Sequence, residues 1–100
     1  MINSATQYGD QLVLMGRGGE RTGTIILNGG EFLGHSRNFI VVRFGDQVCT
    51  FDENETILGA VNLDESFKIS GITDSGFYAK TGSVVEVYDW YCNHIDHYTV

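Results

Sequence analysis

Side-chain character alternates with a period of two along most of this chain, and glycine, never proline, breaks the alternation: there are 13 Gly and no Pro. A period of two sends successive side chains to opposite faces of an extended backbone. No window of 11 residues carries a helical stripe. The chain must therefore fold as short strands, and its turns must come from Gly, Asn and Asp, the residues that accept positive φ. The clearest runs rich in β-branched and aromatic residues are 11–15, 24–27, 39–44, 47–51, 56–63, 76–80 and 83–88. Weaker ones lie at 31–33, 66–69 and 95–100. Eight to ten strands are expected.

Two tight hairpins are legible. Gly45-Asp46 separates residues 39–44 from 47–51, and Thr81-Gly82 separates 77–80 from 83–88. Two-residue connectors containing Gly fit primed turns, whose backbone twist matches that of the flanking strands. Residues 16–21, Gly-Arg-Gly-Gly-Glu-Arg, read as a mobile loop.

A repeat underlies these signals. Residues 8–15 set over residues 44–51 share Gly-Asp-Gln at an offset of 36, and residues 23–27 then fall on 59–63. A fainter third copy follows 37 residues later at 81–88 and closes at 96–100. Such a period marks a repeated supersecondary unit, arranged either as a pseudo-three-fold β structure or as a stacked β array. The expected fold is all-β: a small antiparallel β-sandwich or barrel-like domain spanning residues 1–100, with pseudo-repeats of about 36 residues. The expected core is Leu12, Leu14, Ile25, Leu27, Ile40, Val42, Val48, Phe51, Val61, Leu63, Phe67, Ile69, Phe77, Val85 and Val87.

Charge narrows the choice of partners. The net charge is −7, and it is polarised. Residues 1–43 hold four Arg against three acids, whereas residues 44–100 hold two Lys against ten acids, giving +1 and −8. No basic patch exists to bind nucleic acid through its phosphates or to approach an anionic membrane. A protein partner with a basic surface is favoured instead, and a homo-oligomer stays open as an alternative. No apolar leader and no membrane-length run is present, so a cytoplasmic location is expected, with Cys49 and Cys92 free and buried.

The repeat aligns three loops, at 16–21, 52–57 and 89–94, and these diverge while the strands agree. Divergent loops on a regular frame are where binding residues concentrate. Asp52, Glu53 and Glu55 crowd three carboxylates into four positions and call for a basic partner, a cation or open water. Asp89, Trp90 and Tyr91 put two aromatics beside a carboxylate, and Trp and Tyr are enriched at interface hot spots. Each loop also has a plainer reading, as a solvated tip or as a side chain turned half inward.

Cys92, His94 and His97 have zinc-ligand chemistry. On an extended strand, however, His97 faces away from the other two. No catalytic motif and no cofactor signature emerges, so neither enzymatic activity nor a cofactor is expected. The turn–strand rhythm is similar to that of bulb-type lectins, but the positions of their mannose-binding Gln, Asp and Asn read Arg43, Gly45 and Gln47 here. The leading expectation is a non-catalytic protein-binding module, of the inhibitor, immunity or phage-type accessory kind, whose acidic and aromatic loops meet a basic partner. A carbohydrate-binding domain and a structural subunit of a virion or homo-oligomer are the alternatives.

Overall fold

Glycine-led turns set the rhythm of the fold. The computed structural model describes residues 1–100 and contains eleven strands and no helix. Gly9, Gly45 and Gly82 each open a two-residue hairpin turn with φ of 60°, 62° and 57°. The residue after each has negative φ. Positive φ at the first central position alone is the pattern of a type II′ turn.

Three antiparallel sheets result. The first holds β1 (Ser4–Tyr8), β2 (Gln11–Met15) and β3 (Arg21–Ile26). The second holds β4 (Glu31–His35), β5 (Ile40–Phe44), β6 (Gln47–Phe51) and β7 (Ile57–Asn62). The third holds β8 (Lys68–Ile72), β9 (Gly76–Thr81), β10 (Val84–Asp89) and β11 (His94–Thr99). Each is a meander in which neighbours in sequence are neighbours in the sheet.

The repeat is present in the backbone. β1, β5 and β9 correspond, as do β2, β6 and β10, and β3, β7 and β11; β4 and β8 form a fourth pair. Leu27 N donates to Asp10 O, Leu63 N to Asp46 O and Val100 N to Ser83 O, at 2.8, 2.8 and 2.7 Å. These are the same bond in three copies. A β-bulge also recurs, with Thr22, Leu58 and Ile95 as the extra residue against β2, β6 and β10.

The copies stack rather than close. Ile2, Leu12, Leu14, Ile25 and Leu27 pack with Ile40 and Val42 between the first and second sheets. Phe39, Val41, Val48 and Leu63 pack with Phe77, Ala79, Tyr88 and Cys92 between the second and third. The middle sheet is thus covered on both faces, which explains why Phe39-Ile-Val-Val reads as a continuous apolar run. A strand buried on both sides has no polar face to alternate with. The principal extents of 40 × 25 × 19 Å describe an elongated stack. The barrel-like alternative is therefore corrected: the sheets do not close, because each spends its inner face on a neighbouring sheet.

Several strand expectations shift. β1 escapes sequence reading because Ser-Ala-Thr-Gln-Tyr carries no buried alternation; four of its five residues are exposed. β3 begins at Arg21, inside what reads as mobile loop. Val41 joins the core, whereas Phe51, Val61, Phe67, Ile69 and Val87 are only half-buried. Cys49 and Cys92 are free and buried, and burial raises both thiol pKa values above the ordinary range.

An ion pair ties the second and third sheets at one end. Arg37 donates to Asp74 Oδ2 through Nε at 3.0 Å and through its terminal nitrogen at 2.6 Å. These bonds, and an Arg37 backbone N–H on the same carboxylate, hold the Asp74 carboxyl below the usual range. A depressed carboxyl contributes stability that is present above its unfolded value and lost as pH falls through the folded one. We expect Asp74→Asn to melt slightly below the wild type at neutral pH, and the gap to close on acidification below the ordinary carboxylate range. Both partners are largely exposed, so salt should shrink the gap too. Melting curves at stepped pH check this, and a gap that widens in acid would contradict it.

Candidate contact face

The three corresponding loops share one construction. Gly16 N donates to Glu20 O, Asp52 N to Thr56 O and Asp89 N to Asn93 O, at 2.7, 2.9 and 2.9 Å. The fourth residue of each loop, Gly19, Glu55 or Cys92, has φ of 82°, 67° or 64°. Asp52 Oδ1 accepts the amides of Asn54 and Thr56, and Asp89 Oδ1 those of Tyr91 and Asn93, all at 2.9 Å. In the first copy Gly16 replaces the aspartate, and the Glu20 carboxylate fills the space that a Cβ at 16 would enter.

Two of these loops are couplings between sheets. The Glu53 backbone carbonyl lies against Gly23 of β3, and the Tyr91 carbonyl lies against the corresponding Gly59 of β7. Only glycine permits backbones to approach so closely. Thr50, fully buried, donates its hydroxyl to Trp90 O at 2.7 Å across the second contact.

The three carboxylates of the acidic loop work inside the chain. Asp52 anchors the turn. Glu53 Oε1 accepts the Met1 ammonium at 2.7 Å, while its Oε2 is buried without a partner. Glu55 Oε2 accepts the Ile26 amide of edge strand β3 at 2.8 Å. In the aromatic loop, Asp89 again anchors the turn. Trp90 is half-buried, its ring 6.2 Å from Phe39 and 5.3 Å from Tyr91. Tyr91 keeps half of its surface exposed. The acidic loop rests on edge strand β3 and the aromatic loop on edge strand β7.

Edge strand β11 forms an exposed face of its own. All six of its residues are exposed, among them Ile95 and Tyr98, with Val100 just beyond. Its position corresponding to Gly23 and Gly59 is Asp96, which pairs with Val87 as Gly59 pairs with Thr50. No further loop covers it. A small cavity of about 90 Å³ opens beside this strand, lined in part by Phe77, Tyr88 and Ile95. Sites that enclose small organic ligands span roughly 300–1,000 Å³.

Of the zinc-type residues, Cys92 turns inward, with Sγ 3.6 Å from the Thr50 hydroxyl and 3.9 Å from Val48 O. His94 and His97 come together, contrary to simple alternation, because the bulge at Ile95 restores His97 to the His94 face. They pair with Tyr88 and Glu86, which share a face of β10. Glu86, which sequence reading did not connect with the histidines, is their third neighbour. The recurrence of the bulge in all three copies is the one signal that could have revealed it, and register is not visible before the strands are paired. The chain matches no protein-family model, no curated protein and no solved structure.

Proposed function

We propose that the chain is a non-catalytic protein-binding module, and that strand β11 with the neighbouring Tyr91 side chain is its contact face. One observation carries this reading. β3 and β7 are each covered by the loop of the next copy, whereas β11, their counterpart, is exposed along its whole length. An uncovered edge strand offers unpaired backbone groups to an incoming strand or loop. Ile95, Tyr98 and Val100 add apolar area, and exposed Asp96 adds a negative charge, which suits a basic partner. The Asp96 charge on β11 also discourages unwanted edge pairing, so the partner must supply complementary charge.

Asp96 weighs against a second copy as the occupant in the same geometry, since the internal contacts require glycine at that position. Trp90 is half-buried beside Phe39, which leaves it less surface for stacking on a sugar than a free tip would offer, although Tyr91 stays exposed. The test is affinity capture from the native cell with wild type, Ile95→Lys/Asp96→Lys and Glu55→Gln. Capture of a basic protein should be lost with the β11 variant and kept with Glu55→Gln. Undiminished capture by the β11 variant would move the interface elsewhere.

A further inference from the structure

We infer that Glu86, His94 and His97 form a surface site for a divalent first-row transition ion of the zinc type. One ligand atom from each lies within 4.8 Å of the others. Glu86 Oε2 is 2.5 Å from His94 Nε2, and the two imidazoles lie nearly parallel with centroids 6.0 Å apart. Tetrahedral bonds of about 2.1 Å set ligand atoms roughly 3.4 Å apart. The set therefore reaches coordination by opening the close pair slightly and drawing His97 inward, and His97 is free to turn because it is exposed.

The histidines are not randomly placed. The bulge at Ile95 puts them on one face, and His94 is held edge-on against buried Tyr88, at 5.4 Å between centroids and 69° between planes. Tyr88 is itself stacked on Phe77 at 5.3 Å. A chain of rings thus runs from the core to the site and fixes one ligand from within. The chemistry selects the ion: imidazole suits Zn²⁺, Ni²⁺, Co²⁺ or Cu²⁺, whereas Ca²⁺ and Mg²⁺ prefer all-oxygen sets. Three protein ligands leave a position for water or for a donor from a docking molecule. The ion would also bridge β10 to β11 and pin the terminal strand to its sheet.

Zinc titration of the whole chain, followed by calorimetry and by the histidine ring resonances, tests the site. One equivalent of Zn²⁺ should bind. The ring signals of His94 and His97 should move together while those of His35, stacked near Phe32 in β4, stay in place. Each of Glu86→Gln, His94→Ala and His97→Ala should weaken binding at least about tenfold, since loss of even an outer-shell partner costs that much. Excess Ca²⁺ or Mg²⁺ should not compete. Failure of the wild type to take up one saturable equivalent overturns the inference, as does unchanged affinity in any one of the three variants.

Discussion

Gly59→Ala is expected to lower the unfolding midpoint by on the order of 10–20 °C, out of proportion to one methyl group. A Cβ at 59 would overlap the Tyr91 carbonyl and stand 3.1 Å from the Tyr91 Cα. These are backbone atoms of the next copy, so no side-chain rotation can relieve the clash. The loop that carries them is itself fixed, by the Asp89 carboxylate on two amides and by the Thr50 hydroxyl on Trp90 O. Either β7 or the loop must move, and either movement pulls the second sheet from the third. Overpacking in a well-filled interior costs about 1–3 kcal/mol, and an unyielding neighbour puts this case near the top. At ~4–8 °C per kcal/mol for a domain of this size, the midpoint falls as stated. Gly45→Ala is the control. Its Cβ would meet nothing within 4 Å, and only its φ of 62° is strained, at the first central position of a type II′ turn that favours glycine. Thermal melts of the two variants give the comparison. If Gly59→Ala melts no lower than Gly45→Ala, the loop does not rest on β7 in solution.

What the sequence revealed of this arrangement, and what it hid, follows from the range of each signal. Alternation and glycine turns are local, so the strand class and the Gly45-Asp46 hairpin could be read from neighbouring residues. The repeat was legible because Gly-Asp-Gln recurs where two copies make the same turn. A stacked array was one of the two arrangements the period allowed, but the contacts that stack the copies were not legible. Gly23 and Gly59 look like ordinary strand glycines until the Glu53 and Tyr91 carbonyls are found against them. The same long-range contacts redirect the acidic loop. Asp52, Glu53 and Glu55 have the composition of a docking tip, yet their bonds go to their own turn, to Met1 and to Ile26. His97 illustrates the third limit. One bulged residue inverts the face of everything beyond it on the strand, and a single sequence does not mark where the pairing slips. The exposed β11 was equally hidden, because its exposure is defined by comparison with β3 and β7.

Phe77→Ala should loosen one end of the stack and leave the other intact. Phe77 is 1% exposed and stacks on Tyr88, and truncating a fully buried phenylalanine costs about 3–5 kcal/mol. Where that cost falls depends on how the cores are connected. Phe77 belongs to the core between the second and third sheets, whereas Leu12, Leu14 and Ile25 belong to the core between the first and second. In a linear stack each unit is stabilised by its immediate neighbours, and opening spreads from an end. The third sheet has a neighbour on one side only, so it can detach without disturbing the first. Amide exchange in β9 and β10 should therefore accelerate on the order of 10²- to 10³-fold, at a decade per ~1.4 kcal/mol, while the amides of β2 and β3 change little. Equal acceleration at both ends would instead mean that the two cores unfold as one cooperative unit. Because Tyr88 connects Phe77 to His94, the same variant should broaden the His94 ring resonances while leaving those of His35 sharp. That readout separates loss of the third sheet's packing from a general loss of stability.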